Sequence, residues 1–169
     1  MNTVCYLLLG SNLGDRETNL RAAVESLDAI PGIMISALSS VYETTPQEMS
    51  GEPPLFLNQA VAIETTLAPA DLLIQTESVE RRLGRTDKGN YRSRLIDIDI
   101  LYFGDRIVTT KTLTIPHPRV LQRGFALVPL VELAPELIDP VAKRPVIEYL
   151  AAVDTADIHL YQSRVAHAG

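Results

Sequence analysis

Residues 95–103 read Leu-Ile-Asp-Ile-Asp-Ile-Leu-Tyr-Phe, an apolar run with two acids at alternate positions. The β-branched and aromatic residues of this run predict a buried strand. Side chains two positions apart in a strand point to the same face, so we expect Asp97 and Asp99 to share one face. The other face would carry Ile96, Ile98, Ile100 and Tyr102.

The elements on either side of this strand follow a simple order. We expect strands at 3–9, 33–42, 55–65 and 95–103, helices after Asp15 and over 69–83, and short strands and helices over 106–153. Strand, helix, strand, strand, helix, strand is the βαββαβ order of the ferredoxin-like fold. We therefore predict an α+β protein in which helices cover one face of a mainly antiparallel sheet. Long active-site loops at 43–54 and 84–94 would serve the opposite face, left free for a ligand.

The composition predicts one ordinary domain over residues 1–169. The chain is 46% hydrophobic and 21% charged, close to the average for folded domains, and no repeat or linker divides it. No apolar run is long enough to span a bilayer, and the start lacks the basic region of a signal peptide. A single cysteine, Cys5, favours a reducing compartment, so we expect a cytoplasmic protein.

The net charge of −6 argues against a general nucleic-acid surface. We therefore expect small-molecule partners, with neither nucleic acid nor membrane among them. We also expect a monomer, although nothing in the charge or composition determines the oligomeric state. Any site for phosphate must be built locally from a few basic residues.

The pair of acids in the strand indicates a metal site. Two neighbouring carboxylates repel each other and lose solvation unless a positive charge lies between them. Magnesium often takes one or two carboxylates and completes its shell with water and substrate phosphates. The alternative is a strand with one solvated face, although aspartate is depleted in strands.

The loop at 84–94 is basic in an acidic protein. It contains four cations and one anion, namely Arg85, Lys88, Arg92, Arg94 and Asp87. Guanidinium groups beside paired carboxylates favour a ligand that is both metal-bound and polyanionic, such as a nucleoside triphosphate. A solvated charged loop is the alternative. A turn at 10–12 before the first helix could also present backbone N–H groups to phosphate, or serve only as a helix cap.

Other residues suit a phosphate or a flat heterocycle. His117 stands between two prolines, which would hold its imidazole rigidly for donation to a phosphate oxygen; a surface-loop histidine is the alternative. Phe56 and Asn58 would share one strand face, and Arg123 precedes Phe125 by two positions. Aromatic walls and a bidentate amide suit a heterocycle, while ordinary core packing is the other explanation.

Five segments, in one order, resemble the 6-hydroxymethyl-7,8-dihydropterin pyrophosphokinase family. They are LLLGSNLGDR (7–16), SSVYETTP (39–46), FLNQAV (56–61), RLIDIDILYFG (94–104) and IPH…RGFALVPLVELAPEL (115–137). The resemblance implies a ferredoxin-like α+β fold. It also implies transfer of pyrophosphate from ATP to the hydroxymethyl group of the dihydropterin, with release of AMP, in folate biosynthesis.

The resemblance implies roles for individual residues, with ATP as co-substrate and two Mg²⁺ ions as cofactor. Asp97 and Asp99 correspond to the metal ligands. The ATP-binding positions are Glu77, Arg85, Lys88, Arg94, Ile98, Thr114, His117 and Arg123, of which Arg85, Arg94 and His117 are implied to be catalytic. The pterin-binding positions are Thr44, Thr45, Phe56, Asn58 and Phe125. Whether Lys88 or Arg92 fills the second basic role of the loop stays open.

Two other functions compete with this interpretation. A nucleotidyltransferase also combines a Gly-Ser pair after a strand with an Asp-x-Asp strand, but Ser11 and Asp97 are far apart in this sequence. A non-catalytic paralogue that only binds nucleotide is the second. Product analysis distinguishes the nucleotidyltransferase, because it releases pyrophosphate and a pyrophosphokinase releases AMP. A turnover assay distinguishes the non-catalytic paralogue, because it binds ATP without converting it.

Overall fold

The structure is a computed structural model that describes residues 2–45, 55–84 and 95–162. The strands are β1 (Thr3–Ser11), β2 (Ile33–Leu38), β3 (Tyr42–Thr44), β4 (Phe56–Thr65), β5 (Asp97–Phe103), β6 (Val108–Thr109), β7 (Thr114–Ile115), β8 (Ile138–Asp139), β9 (Arg144–Pro145) and β10 (Ile158–Leu160). The helices are α1 (Arg16–Asp28), α2 (Pro69–Arg82) and α3 (Gly124–Leu133), with 3-10 turns at Val120–Gln122 and Val146–Ala152.

Six of these strands form one antiparallel sheet in the order β10-β3-β4-β1-β5. The sixth, β2, pairs with the far end of β4, so that β2 and β3 together act as one interrupted strand beside it. If β2 and β3 count as one strand, the ferredoxin-like strands are β1, β2/β3, β4 and β5, and β1 lies between β4 and β5, as that fold requires. The predicted α+β, ferredoxin-like class is confirmed.

Helices α1 and α2 pack on one face of the sheet, as their sequence periodicity predicts. In α1 the Asp15 side chain accepts a hydrogen bond from the Thr18 N–H at 3.1 Å and begins the helix. Leu20 and Leu27 of α1 and Val79 of α2 are buried against the sheet. None of the helices in the described part of the chain is both long and apolar enough to cross a membrane.

The opposite face is not free along its length, which corrects the prediction. Helix α3 and the turn at Val146–Ala152 cover it with a second apolar core that contains Leu8, Leu101 and Leu127. Residues 124–133 are apolar on nearly every side of the helix, so α3 must bury more than one stripe. The prediction of a free face is therefore wrong where this second core lies.

Two strand details also differ from the prediction. β1 continues through Ser11, because Gly10 and Ser11 pair with Asn58 and Leu57 of β4; the expected turn at 10–12 is therefore largely strand. In β5 the register shifts opposite Tyr6 and Leu7. This bulge interrupts the alternation of side chains between the two faces of β5. Tyr102 therefore packs in the second core instead of beside Ile98 and Ile100 in the first.

Candidate active site

The two acids of β5 lie on one face at an edge of the main sheet, as predicted. Asp97 pairs with Gly10 and Asp99 with Leu8 of β1, and both side chains are half-buried. Ile98, between them, faces the first core and is 5% exposed. The strand thus directs one side chain inward and two carboxylates outward.

This pair fits a cation that is shared with a ligand. Among the residues that the structure describes, no group of three or more His, Cys, Asp or Glu side chains could hold a metal ion. A closed all-protein site is therefore not formed by those residues. Two adjacent carboxylates at a sheet edge suit magnesium, which leaves the rest of its shell to water and phosphate oxygens.

A buried acid that the sequence analysis missed holds this strand in place. Glu80 of α2 is 4% exposed, and its Oε2 accepts the N–H of Ile98 at 2.9 Å. The bond therefore fixes the backbone midway between Asp97 and Asp99. A signal was present in the sequence, because Glu80 stands four residues after Thr76 and three before Leu83, on the apolar stripe of its helix.

A second group of side chains lies on the same face, two strands away from the acids. The Asn58 Nδ2 donates to Thr44 Oγ1 at 2.7 Å, and both residues are buried. A Cβ on Gly10 would lie 3.1 Å from Asn58 Oδ1 and 3.6 Å from Phe56 Cδ1. The Asn58 amide therefore extends over Gly10 towards Asp97. Two strand spacings, roughly 10 Å, separate the backbones that carry Asn58 and Asp97.

His117 lies beside β5, beyond the acids. Its backbone N–H donates to the Leu101 carbonyl at 3.0 Å, and its ring Nδ1 accepts the backbone N–H of Arg119 at 3.2 Å. Burial first, and then the charges of Arg123 and Arg119, lower the pKa of His117 to about 4. The imidazole is therefore neutral at pH 7, with its proton on Nε2, where it can donate to a ligand oxygen.

The other predicted residues fall in different places. The Arg123 guanidinium lies 5.4 Å from the Phe125 ring centroid, and Phe125 packs against the second core. Thr45, Glu77 and Thr114 are exposed. Ile98 offers ATP no side chain, because that side chain is in the core. Arg85, Lys88, Arg92 and Arg94 lie outside the described residues.

The fold is an α+β, ferredoxin-like one, and its β5 end brings two carboxylates, a buried amide and a neutral histidine to one part of the sheet. Comparison with known proteins identifies the family. The family described as 7,8-dihydro-6-hydroxymethylpterin-pyrophosphokinase (HPPK) matches residues 6–135, and the chain belongs to that family.

Individual relatives agree with this assignment. A Bacillus subtilis protein named 2-amino-4-hydroxy-6-hydroxymethyldihydropteridine pyrophosphokinase is 42% identical over 137 residues, 81% of each chain. A Methylorubrum extorquens protein of the same name is 43% identical and covers 92% of this chain and 97% of its own. The folic acid synthesis protein fol1 of Schizosaccharomyces pombe is 36% identical over 96% of this chain, which spans 22% of that longer protein.

A solved structure shows the same fold. The Plasmodium falciparum HPPK-DHPS crystal structure with pteroate aligns to 90% of this chain and 42% of its own, with a TM-score of 0.72 and 16% identity. At that identity the likeness shows the fold alone. The resemblance of the five sequence segments is confirmed by the sequence relatives, and the chain is a pyrophosphokinase, a diphosphotransferase of folate synthesis.

Proposed function

We propose that this site transfers the pyrophosphoryl group of ATP to the hydroxymethyl oxygen of 6-hydroxymethyl-7,8-dihydropterin and releases AMP. The observation that carries the proposal is the row formed by Asp97, Gly10 and Asn58 across three neighbouring strands. It supports the proposal because it brings two carboxylates and an amide to one face, with their strands roughly 10 Å apart, where we propose that a metal-bound phosphate and a heterocycle bind. A pterin with a hydroxymethyl arm spans that interval.

The pterin would bind at the end of the row formed by β3 and β4. Asn58 is held by Thr44, so its amide is fixed before the substrate arrives, and it reads the edge of the ring by hydrogen bonds. Phe56 lies on the same face as Asn58, and we propose that it and Phe125 stack on the ring. Thr45, next to Thr44, would line the rim of this pocket.

ATP would bind at the other end, with its phosphates over Asp97 and Asp99. These two carboxylates would hold the two Mg²⁺ ions that we propose as cofactor. Magnesium bound there supplies charge neutralisation and acidifies the attacking hydroxyl. His117 would donate its Nε2–H to a phosphate oxygen, and Arg123 would add positive charge beside it.

The remaining ATP contacts are proposed on the sequence resemblance. They comprise Arg85 and Arg94 as catalytic cations, Lys88 in the same basic loop, and the exposed Glu77 and Thr114. For Ile98 we propose no side-chain contact, because that side chain faces the core. The chain's own contribution is then to bind, orient and neutralise, since phosphoryl transfer depends mainly on positioning and electrostatics.

The direct test combines purified protein with ATP, Mg²⁺ and the dihydropterin, and resolves the nucleotide products by chromatography. We expect AMP. Asp97→Asn and Asp99→Asn should each lower kcat by about 100-fold or more, while Asp105→Asn, an exposed acid in the turn after β5, should not. Release of pyrophosphate would favour a nucleotidyltransferase. ATP binding without turnover would favour a nucleotide-binding paralogue.

We further propose that residues 1–169 form one pyrophosphokinase domain that acts as a monomer in the cytoplasm. The single cysteine supports a reducing compartment, and the acidic net charge argues against a nucleic-acid partner. On this proposal its partners are the two small-molecule substrates, and neither nucleic acid nor a membrane.

A further inference from the structure

Arg16, the first residue of α1, joins three separate parts of the chain at the pterin end of the sheet. Its Nη1 lies 2.8 Å from Glu43 Oε2 and donates to the Leu55 carbonyl at 2.9 Å. Its guanidinium carbon is 5.8 Å from the Tyr161 ring centroid. The partners thus come from β3, from the residue before β4, and from the residue after β10.

Two of these partners are chain neighbours of proposed pterin residues. Glu43 precedes Thr44, and Leu55 precedes Phe56. The pairing of β3 with β4 then sets Thr44 opposite Phe56 and Tyr42 opposite Asn58. A shift of either strand end would therefore move the side chains proposed to contact the pterin.

The C-terminal segment holds β3 from its other side. Strand β10 pairs with β3, with Ile158 opposite Thr44, and the Tyr161 N–H donates to the Val41 carbonyl at 2.8 Å. The Tyr161 ring then lies against Arg16. Arg16 and Tyr161 together fix β3 between β4 and β10.

Arg16 acts from the opposite face of the sheet to the substrate. Glu43 pairs with Leu57, and Leu57 faces the helices in the first core, whereas Thr44 and Asn58 face the proposed ligand side. The Arg16 and Glu43 side chains are 24% and 30% exposed, and partly exposed ion pairs add little to global stability. They also line a cavity of about 420 Å³ with Asn12 and Leu13, so the surroundings are not tightly packed.

We propose that Arg16 is a positioning residue for the pterin substrate. It fixes the end of β3 and the start of β4, so that Thr44, Phe56 and Asn58 keep the geometry that binds the heterocycle, and Tyr161 supports the guanidinium. The inference rests on the proposed function, because it assumes that the pterin binds at these residues.

The test compares Arg16→Gln and Arg16→Lys with Arg21→Gln, a control on the same helix whose side chain is 59% exposed. The KM for the dihydropterin, the KM for ATP and kcat are measured with unfolding temperatures. We expect Arg16→Gln to raise the pterin KM about tenfold, or about 1.4 kcal/mol of binding. The KM for ATP and kcat should change less than about twofold, and Arg16→Lys should restore part of the affinity. Arg21→Gln should match the unsubstituted chain.

Further variants at Glu43 and Tyr161 test the same network. Glu43→Gln should raise the pterin KM, by no more than Arg16→Gln does, and the double variant should resemble Arg16→Gln, because the Glu43 contact is among those that Arg16→Gln already breaks. Tyr161→Ala should raise it as well, and Tyr161→Phe should not. Should Arg16→Gln fail to fold, Arg16→Lys and Glu43→Gln carry the test.

The outcomes separate this inference from the proposed function. Equal rises in both KM values, or a lower unfolding temperature with unchanged pterin KM, would overturn the positioning role. If the unsubstituted chain, loaded with a non-hydrolysable ATP analogue and Mg²⁺, does not bind the dihydropterin at all, the proposed function fails instead.

Discussion

His117 illustrates how its surroundings set the chemistry of one side chain. In the unfolded chain its pKa is near 6.5, and in the folded chain burial and two arginines lower the pKa to about 4. Between these pH values the unfolded chain binds more protons than the folded chain. The contribution of His117 to the free energy of unfolding is therefore fully present above pH 6.5 and is lost as the pH falls towards 4. The neutral donor that suits a phosphate oxygen therefore exists at the cost of acid stability.

This predicts a measurable difference between wild type and His117→Asn. Urea unfolding at pH 7 and pH 5 should show that wild type loses about 1 kcal/mol more than the variant over this interval, once the shift is discounted for partial exposure. Parallel losses in the two proteins would mean that His117 titrates normally in the folded state.

Gly10 is a second residue whose side chain, here a single hydrogen atom, affects the proposed site. A methyl group there would meet Asn58 Oδ1 at 3.1 Å, closer than an ordinary contact, so Gly10→Ala should displace the amide. Alanine suits a strand better than glycine, and we expect the unfolding free energy to change little. The pterin KM should rise about tenfold or more, with the KM for ATP as internal control. An unchanged pterin KM would remove Asn58 from the pterin site.

At the scale of elements, the hydrogen bond from the Ile98 N–H to the Glu80 carboxylate ties β5 to α2, beside the packing of both in the first core. Glu80→Ala would leave the Ile98 N–H without its acceptor, at a cost of about 1–3 kcal/mol, and would loosen the backbone between the two aspartates. We expect denaturant unfolding of Glu80→Ala to show a lower free energy of unfolding, and we expect kcat to fall as well. Glu80→Gln keeps an acceptor oxygen and should retain more of the stability and more of kcat. Arg81→Ala, an exposed neighbour on the same helix, should leave both unchanged. A stability loss with full kcat would make Glu80 purely structural.

Elements with strong local periodicity could be predicted from the sequence, and those that depend on distant pairing could not. The alternation of Asp97 and Asp99 with isoleucines predicts the strand face correctly. The bulge that redirects Tyr102 depends on the register with β1, which no local pattern encodes. Strand β10 exists because Ile158–Leu160 pair with β3, and Pro129 inside α3 reads as a break in the sequence although the helix continues through it.

The same distinction holds for the candidate site. Asp97, Asp99, Asn58 and His117 carry their chemistry in residue type and spacing, so the sequence indicates them. Glu80 and Arg16 act on residues brought near by folding, and their partners at 98 and 43 are remote in the chain. Supporting residues of this kind become visible only when the tertiary contacts are known.

On the scale of the whole molecule, a buried tyrosine joins the sheet to the C-terminal part of the chain. The Tyr102 hydroxyl donates to Asp139 Oδ2 at 2.6 Å, and Asp139 Oδ1 accepts the N–H groups of Val141 and Ala142 at 2.8 Å each. Burial and the Asp139 charge raise the pKa of Tyr102 above its usual range, so the phenol remains a donor. Asp139 thereby fixes the turn between β8 and β9 against the second core.

Tyr102→Phe should therefore lower the unfolding free energy by about 1–3 kcal/mol, because one oxygen of a buried carboxylate loses its donor. Asp139→Ala should lower the free energy of unfolding further, since it also leaves the backbone N–H groups of Val141 and Ala142 without an acceptor. Neither Tyr102 nor Asp139 is among the residues proposed to contact the substrates, so we expect kcat and both KM values to stay near wild type at 25 °C. Tyr149→Phe, a half-buried tyrosine packed against the same core, serves as the control. A fall in kcat that matches the loss of stability would show that the C-terminal part of the chain also supports the site.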